Sequence, residues 1–187
     1  MILRSNNYES FTVVVCGTEF SGSSLVAGSL RILGIPMGYE FYPEDTHQDV
    51  NFAKVEFDRS LLTAISTRNS SHFVWGFKWL ALAGWLDQVF HALRNPVFIY
   101  CHRDLSSSLT RTNPKYSHAG VVEFANHIKE ANYLADLLAS SYVPLMVVEH
   151  FDKPKLFSEL AEFTHCDLTE THINQLLAFS IGGYKPL

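Results

Sequence analysis

Residues 11–16 read FTVVVC, six apolar or β-branched residues without a break. A strand with one face in water alternates polar and apolar side chains. A run with no polar face suits a strand covered by helices on both sides. The next seventeen residues constrain the fold further. Residues 17–22, GTEFSG, form a turn bounded by glycines. Residues 23–33, SSLVAGSLRIL, have the apolar spacing of a helix, with serine at its start and Gly34 past its end. Strand, glycine loop and helix make the unit from which parallel sheets are built. The unit also aims backbone N–H groups at one point, where the helix dipole favours an anion.

The same alternation continues along the chain. Further buried strands are expected at 73–78 (FVWGFK), 97–102 (VFIYCH) and 144–149 (PLMVVE). Helices are expected at 50–66 with Asp49 as cap, at 80–93, from Ser106 to the Asn113-Pro114 break, at 119–141, from Asp152-Lys153-Pro154 with proline in the first turn, and at 169–180. Pro36, Gly38 and Pro43 mark residues 35–48 as a loop. The expected fold is α/β, three layers α/β/α around a central, mostly parallel sheet, with residues 1–187 as a single domain. In such sheets ligands bind beyond the carboxyl ends of the strands.

Composition narrows the function classes. Hydrophobic residues make up 47% and charged residues 18%, which excludes a disordered chain and a coiled coil. A net charge of −5 argues against nucleic acid as partner. Cys16, Cys101 and Cys166 are odd in number and show no zinc spacing, so no metal is expected. The most apolar region, 73–93, is broken by Lys78 and Asp87, and the N-terminus has no leader pattern. The expectation is a cytoplasmic protein without a membrane partner.

Gly17 and Gly22 have the spacing of GxxxxGK[ST], but Ser23 stands where nucleotide triphosphatases place lysine on the β/γ phosphates. The stretch VVVCGTEFSGSSLVAGSLRILG resembles instead the 5′-phosphosulfate loop of sulfotransferases that use 3′-phosphoadenylyl sulfate (PAPS), roughly G-x-P-[RK]-[ST]-G-[ST]-[ST] before a helix. Gly17, Ser21, Gly22, Ser23 and Ser24 match, and Thr18 lies within the loop. Glu19 stands at the usual proline and Phe20 at the usual cation. Residues 97–112, VFIYCHRDLSSSLTRT, resemble that family's 3′-phosphate element, with Arg103 as the bidentate phosphate donor. The family's serine, eight residues after the arginine, falls on Arg111, so that role spreads over Ser106, Ser107, Thr110 and Arg111. PLMVVEHF is similar to the family's late strand ending in an acidic residue, and Gly182-Gly183-Tyr184-Lys185 faintly to its C-terminal segment.

The resemblance implies a P-loop-like sulfotransferase fold, PAPS as co-substrate, adenosine 3′,5′-bisphosphate (PAP) as product and no metal. The acceptor would be a small molecule with a hydroxyl or amine, and the oligomeric state stays open. Transfer needs a cation near the bridging oxygen and a base for the acceptor's proton. Lys78, at the end of an expected strand, is the candidate cation; its other reading is a snorkelling lysine. The loop PEDTHQDVNF offers Asp49 and His47 as base, then Glu44; its other reading is a solvated acidic loop. His102 precedes Arg103 and reads equally as reaching the same pocket or as capping a strand end. Cys16 and Cys101 end strands near each other and read as small hydrophobes. Trp75, Trp79, Trp85, Phe73 and Phe77 read as core, with stacking on adenine or lining an acceptor pocket as the other reading for one of them. Two alternatives stand beside sulfonate transfer. One is a nucleotide- or anion-binding module made inactive by Phe20. The other is a P-loop kinase-like phosphotransferase.

Overall fold

The structure, a computed structural model, describes residues 1–18, 21–39, 47–52, 58–80, 86–102, 118–149 and 152–179. Five strands form one sheet: β1 (Ile2–Arg4), β2 (Phe11–Gly17), β3 (Val74–Lys78), β4 (Pro96–Cys101) and β5 (Leu145–Val148), in the order β1-β5-β4-β2-β3. β2 pairs in parallel with both β3 and β4, and β4 in parallel with β5. β1 closes the β5 edge antiparallel. It adds a strand to those expected, since its three residues carry too little pattern to be read from sequence.

Helices cover both faces, as the unbroken apolar strands require. On one face lie α1 (Ser23–Ile32), α5 (Lys153–Thr164) and α6 (Glu170–Ala178). Leu25, Val26, Leu30, Leu156 and Leu160 pack there on Val13, Val15, Val97 and Ile99. On the other lie α2 (Arg59–Ser71), α3 (Leu86–Val89), which runs into a 3₁₀ turn at Phe90–Ala92, and α4 (His118–Ser140). Leu61, Ile65, Leu134 and Leu138 pack there on Val14, Trp75, Phe77 and Phe98. Each such fully buried side chain contributes about 1.5–3 kcal/mol. The α/β architecture with a mostly parallel central sheet is therefore as expected.

Several local expectations are corrected. The helix expected at 50–66 is α2 at 59–71, and its cap is Asp58, whose carboxylate accepts from the Ser60 N–H at 3.0 Å. Asp49 caps nothing in α2. Of the helix expected at 80–93, α3 and its 3₁₀ turn occupy the described part from residue 86. Phe73 is exposed rather than core, whereas Trp75, Phe77 and Trp79 are buried as read; Trp85 lies outside the described residues. Cys16 and Cys101 do end adjacent strands, but Cys16 belongs to the α2/α4 face and Cys101 to the α1/α5 face. Alternation along a strand puts the sheet between them. Among the described residues, no helix is long and apolar enough to cross a membrane.

Candidate functional site

The crossovers from β2 place β3 on one side of it and β4 on the other, so the chain diverges at the carboxyl end of β2. This is where an open α/β sheet leaves a crevice. Gly17 ends β2 with φ 148° and lies beside Cys101 of β4; a Cβ there would come within 2.1 Å of the Cys101 carbonyl oxygen. Only glycine fits so close an approach. Gly22 then starts α1 in the left-handed region, φ 88° and ψ 9°. The loop re-enters through a turn in which the Ser21 N–H donates to the Thr18 carbonyl at 3.2 Å.

Among the described residues the N-terminus of α1 has no side-chain cap, and its first turn holds no acidic residue. The Leu25 N–H donates back to the Gly22 carbonyl at 2.9 Å. The N–H groups of Ser23 and Ser24 have no acceptor within the helix, and they carry the positive end of its dipole. Ser21 is fully buried, and its hydroxyl finds no hydrogen-bond partner among the described residues. Thr18 and Ser23 are buried as well, and Ser24 is partly exposed. The structure thus brings Gly17, Thr18, Ser21, Gly22, Ser23 and Ser24 together at one helix end.

Lys78 joins them. It ends β3 in register with Val15, and its Nζ donates to the Ser24 hydroxyl at 2.9 Å. The lysine is 3% exposed, so it extends across the end of β2 over the helix N-terminus rather than snorkelling into water. Burial pushes the Cys101 thiol up to about 12, and the nearby Lys78 charge pulls the other way. A cation, a helix end and hydroxyl donors thus converge on one spot, the combination of groups that favours an anion.

The two acid–base candidates sit elsewhere and are engaged. Asp49 is fully buried in an ion pair with Arg68 and also accepts from the N–H groups of Tyr39 (3.2 Å) and Asn51 (2.8 Å) and from the Asn51 amide (2.9 Å). This corrects its reading as a general base: both oxygens already serve donors that hold the 47–52 segment. His47 has φ 52° and accepts on Nδ1 from the Arg31 guanidinium at 3.0 Å. Its ring packs edge-on against Phe179 at 5.5 Å, beside Gly28. It lies at the middle and last turn of α1, not at the loop. Sequence reading misses Arg68, because nothing local in a polar helix announces a buried partner 19 residues away. His102 lies at the carboxyl end of β4, and its ring stacks at 6.2 Å on that of Tyr100, which faces α2 and α4. Phe20, Glu44, Arg103, Ser106, Ser107, Thr110, Arg111 and Lys185 lie outside the described residues.

β2, α1 and the glycines between them, at the divergence point of a mostly parallel sheet covered by helices on both faces, make an α/β fold consistent with the P-loop-like class. Among solved structures the chain is similar to an unliganded sugar kinase from Janibacter sp. HTCC2649. The TM-score is 0.53 and the identity 15%, over 84% of this chain and 95% of that one. At that identity the likeness is one of fold. No protein-family model and no curated protein matches the chain.

Proposed function

We propose that the protein is a nucleotide-dependent transferase that moves a sulfonate from PAPS to a hydroxyl or amine of a small acceptor. The observation that carries this reading is Lys78 Nζ at 2.9 Å from Ser24 Oγ, above the uncapped start of α1. It supplies a cation where Phe20 leaves the loop motif without one. In the proposed step the acceptor's oxygen or nitrogen attacks sulfur, and the sulfur–oxygen bond to the 5′-phosphate breaks. PAP leaves with the electron pair, and the acceptor's proton passes to solvent. Lys78 and the N–H groups of Ser23 and Ser24 stabilise the charge on the phosphate side, and the Ser21 hydroxyl gains a partner. Arg103 would hold the 3′-phosphate. Asp49 and His47, engaged by Arg68 and Arg31, act here as positioning groups.

The second reading is a kinase-like phosphotransferase, favoured by the fold likeness to the sugar kinase structure. Calorimetric titration separates the two. PAP is expected to bind at least about tenfold more tightly than ATP, the size of one added charged hydrogen bond. Lys78→Met, which keeps volume and removes charge, should weaken PAP by at least about tenfold, and Arg103→Ala should remove the preference over ATP. ATP binding with no PAP binding would overturn sulfonate transfer in favour of the kinase reading.

A further inference from the structure

On the sheet face away from α1, a cavity of about 280 Å³ lies between α4 and strands β4, β5 and β1. Its floor changes character along the strands. Leu145, Val147 and Glu149 alternate onto this face along and just past β5, and Tyr100 and His102 do so beside them along β4. The apolar end is continued by Leu3 of β1. The ionisable end lies at the carboxyl edge of the sheet, where open α/β folds bind ligands. Cys101 faces Gly17 across the β2–β4 ladder, so His102 stands one residue beyond the strand position that starts the glycine loop. His102 and Glu149 are neighbours there. Cys101 pairs with Val148, and the His102 N–H donates to the Val148 carbonyl at 2.9 Å. The two side chains therefore leave adjacent strands, about 4.8 Å apart, on one face. The His102 ring is half-buried and lies within 20° of parallel to the Tyr100 ring. Among the described residues neither imidazole nitrogen and neither Glu149 oxygen has a hydrogen-bond partner, and the two groups do not bond each other.

We propose that this groove takes the acceptor, an alcohol with an apolar body, and that His102 is the base that accepts its proton. The proposal rests on the transfer reading and narrows its acceptor class. The hydroxyl lies between His102 and Glu149, and the body lies on Leu145, Val147 and Leu3. The polar lining joins the carboxylates Glu149 and Asp136, which accept, to His102 and Asn132, which also donate. A hydroxyl both donates and accepts and so fits that mixture; an ammonium only donates and a carboxylate only accepts. In the step, the hydroxyl proton passes to a neutral imidazole nitrogen as the oxygen bonds to sulfur. The sulfur–oxygen bond to the 5′-phosphate breaks, and its electron pair leaves on PAP. The imidazolium, steadied by Glu149, then releases the proton to solvent. Histidine gains and loses a proton near neutral pH, and this one fills the role left open by Asp49 and His47, which Arg68 and Arg31 engage.

Two measurements on the full chain test it. In the first, methyl and imidazole NMR signals are followed, with PAP present, during titration with n-hexanol and with its isomer 1-methoxypentane, which has no hydroxyl hydrogen. Hexanol should shift the Leu145 and Val147 methyls and the His102 ring saturably, and should bind about fivefold more tightly than the ether. In the second, sulfonate transfer from PAPS to hexanol is followed. His102→Gln should lower kcat at least about 100-fold while changing the hexanol KM less than about threefold. PAP affinity by calorimetry should stay unchanged in that variant, which a collapsed strand end would not allow. PAP binding without hexanol shifts in the groove, binding of both without transfer to hexanol, or full kcat in His102→Gln would overturn this proposal and leave the sulfonate donor site standing. Absence of PAP binding would instead overturn the transfer reading, and this proposal with it.

Discussion

Gly17 shows how narrow the space is where β2 ends. A single added methyl would come within 2.1 Å of a neighbouring strand's carbonyl oxygen, at a φ that side chains rarely adopt. Gly17→Ala should therefore force β2 and β4 apart at the loop and cost about 2–4 kcal/mol, from overpacking and backbone strain together. Urea unfolding followed by circular dichroism measures it; a loss below about 0.5 kcal/mol, the range of a neutral surface change, would show that the close approach is not needed. At the same scale, Lys78 is legible in the sequence because a charged residue at the end of an apolar strand has few places to go. Its partner Ser24 is not. That contact depends on the register of β3 against β2, which brings residue 78 beside Val15, and register follows from packing rather than from local pattern.

Among the elements, α2 pairs a polar sequence with a consequential buried charge. Arg68 pairs with Asp49 and lies between rings, 4.9 Å from Phe52, 5.4 Å from Trp75 and 5.7 Å from Tyr39. The helix thereby holds the segments on both sides of the pair against the sheet. Arg68→Met leaves a carboxylate buried without its cation and should cost about 3–5 kcal/mol; adding Asp49→Asn should recover much of that loss. Thermal or urea unfolding of the two single variants and the double variant measures the coupling, and simple additivity would mean that the two side chains do not act as a pair. The strands of the parallel sheet are legible because each is a continuous apolar run. The start of α2 is not, because Asp49 and Asp58 both precede stretches that can form helix. Only the fold shows that Asp49 turns inward while Asp58 caps. β1 escapes sequence reading because three residues give no period.

For the whole molecule, the two central thiols tie stability to alkaline pH. Burial holds Cys101 at about 12 in the folded chain against an ordinary 9.0, and it raises Cys16 well above that value, with Cys101 adding to the rise. The unfolded chain therefore loses these protons first. The associated stability is whole below about pH 9, declines as pH rises, and is gone once pH passes about 12. Through Cys101 alone each pH unit in that window removes about 1.4 kcal/mol. Urea midpoints should be level from about pH 7 to 8.5 and fall steeply beyond, with a shallower fall in Cys101→Val; a flat profile to about pH 10.5 would mean the thiols ionise freely in the folded chain. The sheet's borders carry a different consequence. One border is β1, only 3 residues long and laid antiparallel on β5. Midway along the other, the outward Gly76 N–H already donates to the Pro36 carbonyl at 2.9 Å. An open strand edge is a template on which a neighbouring chain can polymerise, and here one rim is very short and the other gives a central N–H to the protein's own backbone. Among the described residues, neither rim offers a long, free ladder on which the sheet would extend from molecule to molecule.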